Sequence, residues 1–244
     1  MDLCEIARQV VAINPDWESF FTDPVVDRQL RHISDRLTEQ LAANITIYPA
    51  PDQIFRAFAL TPLSQLQVVI LAQDPYPTEY SDHQGTIYSY ATGLALSVPR
   101  NAPLPSSLHN IFRELSNTYH RPSWSDHGDL TYWATQGVFL LNTALTVIRH
   151  QKESHLLLWE GFTGLLLTWL TQRRPSVVYL AFGAKAAKRI TTTLSNPTML
   201  TCSHPSGLSA SRGETPFLGS NIFARCNHLL LDRGLPGVDW RLPL

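Results

Sequence analysis

The sequence predicts an α/β protein with a single domain of three layers, in which helices cover both faces of a central, mainly parallel sheet of four strands. Four short runs of branched apolar residues are typical of strands buried on both faces. Helical patterns separate these runs, and such alternation favours a parallel sheet. The four predicted strands are 68–72, 138–142, 177–182 and 198–203.

Apolar residues spaced three and four apart predict the helices between the strands. One helix carries Leu108, Ile111, Phe112 and Leu115, a second carries Trp159, Phe162, Leu166 and Trp169, and a third spans 184–194. Before the first strand the predicted helices are 3–12, 24–43 and 52–59.

No internal repeat, low-complexity tract or long linker divides the chain, so we expect one domain over residues 1–244. Its N-terminal helical part is 1–47, and the part that carries the motifs described below is 48–242. Two stretches, 78–92 and 211–221, are predicted to be irregular loops.

The composition says more about the cellular compartment of the protein than about its function. The chain is 44% hydrophobic and 16% charged, with a formal net charge of -1 that argues neither for nor against nucleic acid as a partner. Its three cysteines are odd in number and far apart, which favours a reducing, intracellular compartment. The opening "MDLCEIARQV" lacks the pattern of a signal peptide, and no segment is expected to span a membrane.

The residues that follow the four predicted strands include an acid, a carboxamide, a glycine that exposes backbone and an imidazole. Ligands bind beyond the carboxyl ends of the strands in an open parallel sheet. Each of these residues could simply close a turn or satisfy loop backbone, but their recurrence at four equivalent positions favours a shared site. The residues are Gln73-Asp74-Pro75-Tyr76, Asn142-Thr143, Gly183-Ala184 and His204-Pro205-Ser206.

Two other kinds of site receive less support. No serine or cysteine lies on a G-x-S-x-G turn, so a nucleophile triad is not indicated. Cys202-x-His204 and Cys226-x-His228 could suggest zinc, but a spacing of one residue is not the usual ligand geometry. We therefore expect neither a metal nor a cofactor.

Five motifs together resemble the motif set of the family 1 uracil-DNA glycosylases, and they occur in the order typical of that family. The resemblance covers about residues 48–242, and it is specific because several motifs occur in order. The motifs are "QDPY" at 73–76, "GLALSV" at 93–98, "LPSSLHNIFREL" at 104–115, "WATQGVFLLNTALTV" at 133–147 and "HPSGLSASRG" at 204–213.

The resemblance implies a metal-independent DNA repair enzyme that flips uracil out of DNA and hydrolyses its N-glycosidic bond, leaving free uracil and an abasic site. It implies that Asp74 positions the attacking water and stabilises positive charge on the deoxyribose, and that His204 donates a hydrogen bond to uracil O2. It also implies that Gln73 and Asn142 bind the base, while Tyr76 blocks the methyl group of thymine.

The resemblance further implies how the DNA is held. The loops that contain Pro105 and Ser107, Gly183, and Ser206 would grip the phosphates through neutral hydroxyl and amide donors, and Leu208 would fill the gap left by the flipped base. The expected partner is uracil-containing DNA, single- or double-stranded, with a proteinaceous inhibitor or a replication protein as a second partner. We expect a monomer located at DNA, in the nucleus of a eukaryote or of a virus-infected host cell and otherwise in the cytoplasm.

One departure from the family bears directly on the base pocket. Leu96 stands where the family has a phenylalanine that stacks on uracil, and stacking is worth about 1–3 kcal/mol per base. The tyrosine-rich insertion at 78–92 could supply the missing ring, or its tyrosines could merely anchor a loop. A second insertion at 214–219 could alter the DNA-contacting face or bind a partner.

The departure at Leu96 leaves a second function open. The chain could be a replication-accessory protein that binds DNA on the same fold with weakened catalysis. The presence of Asp74, Asn142 and His204 favours the enzyme, because a scaffold has no need of this set.

Overall fold

The structure is a computed structural model that describes residues 1–243. Its strands are β1 (Ile47–Tyr48), β2 (Val68–Ala72), β3 (Glu79–Ser81), β4 (Ile87–Ser89), β5 (Val138–Asn142), β6 (Val147–Ile148), β7 (Val178–Phe182) and β8 (Met199–Cys202). Its α-helices are α1 (Leu3–Ile13), α2 (Glu18–Phe21), α3 (Pro24–Ala42), α4 (Arg56–Leu60), α5 (Ser106–Thr118), α6 (Thr131–Ala134), α7 (Leu156–Arg173), α8 (Ala184–Thr193) and α9 (Ile222–Leu231).

The central sheet has the strand order β5-β2-β7-β8, and every neighbouring pair is parallel. Strands β2, β5 and β7 are buried along their whole length, because helices cover both faces. The predicted α/β class and the four-stranded parallel sheet are confirmed. The register pairs Ala72 with Asn142, so the carboxyl ends of β2 and β5 lie side by side.

Aromatic side chains fill the space on each side of the sheet. On one face, Phe139 of β5 stacks on Trp17, with ring centroids 5.3 Å apart. On the other face, Phe182 of β7 packs edge-on against Phe223 of α9 at 6.3 Å. The N-terminal helices belong to the same hydrophobic core as the sheet, which therefore runs through both predicted parts of the chain.

The prediction that 78–92 is an irregular loop is wrong. Strands β3 and β4 form an antiparallel hairpin in this segment, in which Tyr80 pairs with Tyr88. Their rings stack at 5.6 Å, and Tyr90 packs on Tyr80 at 5.0 Å. Cross-strand aromatic pairs stabilise such ribbons, and the tyrosines that the sequence showed as a cluster are what hold the hairpin together.

The second insertion, at 214–219, packs against the protein core and is not a free surface loop. Phe217 is fully buried against Phe182, with ring centroids 5.3 Å apart. The buried carboxylate of Glu114 on α5 accepts hydrogen bonds from the backbone N–H groups of Gly219 (2.6 Å) and Asn221 (2.7 Å). The segment therefore ties α5 to the start of α9, next to the loop that follows β8.

Some elements were not predicted or have different bounds. Helix α9 and the short pairing of β1 with β6 were missed, as were the short helices α2 and α6. The helix predicted at 52–59 is a 3₁₀ turn over Pro51–Gln53 followed by α4. None of the helices within residues 1–243 combines the length and the apolar character needed to cross a membrane.

Candidate active site

A cavity of about 370 Å³ opens at the carboxyl edge of the sheet. Its position follows from the parallel strands, whose ends deliver polar residues to one edge. Nine of the eleven residues predicted from the sequence line this cavity. They are Gln73, Asp74, Tyr76, Leu96, Pro105, Ser107, Asn142, His204 and Ser206.

Asp74 lies just beyond β2 and is removed from much of the surrounding water. Its Oδ2 accepts a hydrogen bond of 2.7 Å from the backbone N–H of Glu153. Burial raises the pKa of Asp74 above its ordinary value, while the N–H of Glu153 and the charges of Lys152 and Lys185 pull that pKa down. The site thus holds a carboxylate whose charge is costly and only partly compensated.

His204 follows β8 and is fixed as one tautomer. Its Nδ1 accepts a hydrogen bond of 3.0 Å from the backbone N–H of Ser206, so the neutral ring carries its proton on Nε2. Burial, and then the charge of Lys152, lowers the pKa of His204. The ring is therefore a neutral imidazole that presents an N–H donor.

Gly183 supports His204 by its lack of a side chain. Its φ is +92°, and a Cβ at this position would lie 3.2 Å from the Cβ of His204. The N–H of Gly183 donates to the carbonyl of Cys202 at 2.9 Å. A phosphate at this place would therefore meet the following amides of α8 rather than that of Gly183 itself.

Asn142, at the end of β5, brings an unused acceptor to the cavity. Its side chain is only 5% exposed, and its Oδ1 has no hydrogen-bond partner within the described part of the chain. Buried acceptors are normally satisfied, so an acceptor in a cavity wall that no protein group satisfies is available to a donor on a bound molecule. Gln73 is held nearby, because its carbonyl accepts from the hydroxyl of Thr143 at 2.6 Å.

Tyr76 and Leu96 form the apolar part of the wall. The hydroxyl of Tyr76 lies 2.8 Å from the hydroxyl oxygen of Ser107, and burial raises the pKa of Tyr76 to about 12. Leu96 is buried, with a left-handed φ of +66°. The wall thus lacks an aromatic face at Leu96, as the sequence indicated.

The hairpin tyrosines do not replace that missing face. The lining of the cavity includes Ala91 but none of Tyr80, Tyr88 and Tyr90. Tyr90 reaches the site only indirectly, through its contact with Tyr76 at 6.1 Å between ring centroids. In this structure the hypothesis that the insertion supplies a stacking ring is wrong, and the insertion instead contacts the cavity wall where Tyr90 packs against Tyr76.

The loop after His204 is anchored to α5. The side-chain amide of Asn110 donates to the carbonyl of Pro205 at 2.7 Å. This contact holds the loop so that Ser206 lines the same cavity as Pro105 and Ser107. The side chain of Leu208, the predicted wedge, lies outside what the structure describes.

Two charged residues of the cavity were missed by the sequence analysis. Lys152 and Glu153 come from the loop between β6 and α7, and they line the cavity beside Asp74. Glu153 has a left-handed φ of +66°, and its carboxylate pairs with Lys185 at 2.7 Å. Their only signal was a pair of charges just before the apolar helix at 156, which is ordinary for a surface loop.

The two cysteine-histidine pairs do not form a cluster. Burial raises the pKa of both Cys202 and Cys226 to about 12, so both thiols stay protonated. No group of three or more His, Cys, Asp or Glu residues with metal-binding geometry occurs within residues 1–243.

Comparisons with known proteins agree on one family. A model of the uracil DNA glycosylase superfamily matches residues 58–231. The chain is 38% identical to the uracil-DNA glycosylase of Francisella tularensis subsp. novicida, over 93% of this chain and 98% of the relative. It is 39% identical to that of Acinetobacter baumannii, over 95% of this chain and 94% of the relative.

Solved structures agree with the sequence relatives. The crystal structure of mimivirus uracil-DNA glycosylase matches with a TM-score of 0.83 and 30% identity, covering 96% of this chain and 89% of that one. A variant of the mimivirus protein in complex with UGI matches equally well, with 91% of its chain covered. The enzyme from Nitratifractor salsuginis, at 18% identity and a TM-score of 0.60, shares the fold.

Replacing Asp74 by asparagine is expected to stabilise the fold at neutral pH. The raised pKa means that the folded state binds the proton of Asp74 more tightly than the unfolded chain does. The ionised carboxylate therefore lowers the free energy of unfolding above the folded pKa. We expect Asp74→Asn to raise that free energy at pH 7.5 by about 0.5–2 kcal/mol in urea denaturation.

The pH dependence of this gain tests its cause. The gain should shrink as the pH falls from 7.5 through the folded pKa towards the unfolded value of about 3.9. Asp35→Asn, which removes an exposed carboxylate from α3, serves as the control and should change the free energy of unfolding by less than about 0.5 kcal/mol. A gain that is absent, or that grows towards acid pH, contradicts the assignment.

Proposed function

Since this chain belongs to the uracil-DNA glycosylase superfamily, we propose that the cavity around Asp74 is where it hydrolyses the N-glycosidic bond of uracil in DNA. The activity itself follows from the family: the protein is a DNA repair glycosylase that releases uracil and leaves an abasic site. The assignment of each side chain below is our proposal. The unpaired Oδ1 of Asn142 is the observation that carries it.

Asn142 reads the edge of the base. Uracil presents a donor at N3–H and an acceptor at O4, so the carboxamide meets both, with Oδ1 accepting from N3–H. Cytosine has an acceptor at N3 and a donor at its 4-amino group, which leaves buried groups unpaired. Such mismatches in a buried site cost several orders of magnitude in efficiency.

Asp74 provides the negative charge for the reaction. The bond between C1′ and N1 breaks with its electron pair on uracil, and positive charge develops on the deoxyribose. A carboxylate removed from water interacts strongly with that charge. Asp74 also accepts a hydrogen bond from the attacking water and takes up its proton as the water oxygen bonds to C1′; the proton is released to solvent after the products leave. Its Oδ1 is free for this because Oδ2 accepts from the N–H of Glu153.

His204 stabilises the leaving group. Its Nε2–H donates to uracil O2, where the electron pair from the broken bond is delocalised. Because the pKa of His204 is lowered, the ring stays neutral and acts as a hydrogen-bond donor rather than as a proton source. The bond gains strength as charge develops, which favours the transition state over bound substrate.

Tyr76 completes the selection of the base. Its position in the wall is fixed by the hydroxyl of Ser107 and by the ring of Tyr90. We propose that the ring occupies the space that the 5-methyl group of thymine would need. Leu96 closes the pocket without a stacking surface, so we expect weaker base stacking here than a phenylalanine provides.

The rim of the cavity holds the DNA backbone. Neutral donors at Ser107, at Ser206 and at the amides following Gly183 grip the phosphates, and a protein with a net charge of -1 can bind DNA in this way. Leu208 fills the gap left by the flipped base. We further propose that the protein acts as an intracellular monomer, and that a protein ligand can cover this rim, since a mimivirus relative was crystallised with UGI.

The direct test is release of uracil from a synthetic oligonucleotide. Wild-type protein in EDTA should release uracil and leave a site that alkali cleaves. Asp74→Asn should lower kcat by about 10²–10³-fold, because the amide cannot stabilise the cation, while it retains binding of uracil-containing DNA. Asp35→Asn is the matched control and should turn over normally. Wild-type turnover by Asp74→Asn excludes the proposed role, and activity that EDTA abolishes and zinc restores would point to a metal site instead.

Two substitutions test how the pocket selects its base. Tyr76→Ala should admit thymine by removing the steric wall, and Asn142→Asp should admit cytosine weakly, because a protonated carboxyl can match the reversed donor pattern. Release of thymine and cytosine is measured on oligonucleotides that contain one target base. If both variants remain strictly specific for uracil, the base pocket lies elsewhere.

A further inference from the structure

The loop between β6 and α7 brings an unpaired cation to the edge of the active-site cavity. Lys152 is exposed and lines the cavity together with Asp74 and His204. Its charge acts on both of these residues, since it lowers the pKa of each. Lys152 therefore lies close to the reacting groups and remains open to solvent.

Two of the three lysines of the chain act on Asp74 through their charge, and they differ in whether they form an ion pair. Lys185 is neutralised by Glu153, with Nζ and Oε1 2.7 Å apart. Lys152 forms no ion pair with any residue that the structure describes. The charge of Lys185, which does not line the cavity, is thus satisfied within the protein, while the charge of Lys152 in the cavity wall is available to a ligand.

The loop that carries Lys152 is fixed at both ends. The backbone N–H of His150 donates to the carbonyl of Pro77 at 2.7 Å, and the ring of His155 is buried with Nδ1 2.8 Å from the hydroxyl of Thr146. Between these anchors, the backbone N–H of Glu153 donates a hydrogen bond to Asp74, and the carboxylate of Glu153 forms an ion pair with Lys185. Lys152 is therefore presented by an ordered loop that is itself joined to the catalytic carboxylate.

The ligand that suits such a cation is a phosphodiester. A flipped deoxyuridine has a phosphate on each side of its sugar, and the other groups proposed to grip them are neutral. Lysine binds phosphate as a point charge and releases a counterion when it does so. A phosphate next to Lys152 would also neutralise a charge that otherwise opposes the cation forming on the deoxyribose.

We propose that Lys152 binds a backbone phosphate of the DNA beside the flipped nucleotide, and that the Glu153–Lys185 pair holds the loop in the conformation that places it there. The inference rests on the proposed function, because it takes uracil-containing DNA as the ligand of this cavity. It assigns a DNA contact to a charged residue in addition to the neutral donors named above.

The salt dependence of binding distinguishes a phosphate contact from a structural role. Every protein in this comparison carries Asp74→Asn, so that the oligonucleotide stays uncut. The Kd of each protein for a uracil-containing duplex is measured between 50 and 200 mM salt. Adding Lys152→Gln should make the fall of the log association constant with log salt shallower, by about 0.9 in slope. The ratio of the Kd of the glutamine variant to that of the lysine protein should therefore shrink about threefold from 50 to 200 mM salt. Lys152→Arg should restore the slope.

Lys188→Gln is the matched control, because Lys188 is exposed on α8 and does not line the cavity. It should leave the slope unchanged. Equal slopes for Lys152→Gln and Lys188→Gln would overturn the proposal, as would a Lys152→Gln variant that binds more weakly by the same factor at every salt concentration. Uracil release by wild-type protein is measured in parallel, so failure of the proposed function would show there and not in the slopes.

Discussion

The site depends on keeping one carboxylate charged where water is scarce. Asp74 lies at the end of the buried strand β2, and burial there raises its pKa. The same scarcity of water strengthens its interaction with positive charge on the substrate. Two features make it easier to ionise Asp74 despite its burial. One is the backbone hydrogen bond from Glu153, and the other is the charge of two nearby lysines, which lowers the pKa of Asp74 without an ion pair to its carboxylate.

Several other features follow from this constraint. Glu153 directs its N–H at Asp74 from a left-handed conformation, and its ion pair with Lys185 helps to hold it there. His204 must stay neutral beside the same charges, which its burial and Lys152 ensure. Gly183 leaves room for the start of that side chain, because a Cβ at this position would lie 3.2 Å from the Cβ of His204. The polar residues at the strand ends therefore act together, and each is positioned by a neighbour from a different segment of the chain.

The parts of this arrangement that could be predicted are those with a local signal. The strands are visible as apolar runs, and Asp74, Asn142 and His204 are visible as polar residues directly after them. The hairpin at β3 and β4 was missed because its strands are short and lack an apolar alternation. Lys152 and Glu153 were missed because their roles depend on a left-handed residue and on a pairing across 32 positions of sequence. The supposed stacking role of the tyrosines failed because proximity in sequence did not place their rings in the cavity.

The central claim is that an ionised Asp74 works beside a neutral His204, and the pH profile of kcat/KM on uracil-containing DNA, which reports the groups of the free enzyme, tests it most directly. Burial raises the pKa of the carboxyl and lowers that of the imidazole. We predict that kcat/KM is flat through neutral pH and falls towards acid with a midpoint above about 3.9 and below about 6.5, the ordinary pKa values of the two groups. A midpoint at or above about 6.5, or at or below about 3.9, would contradict it.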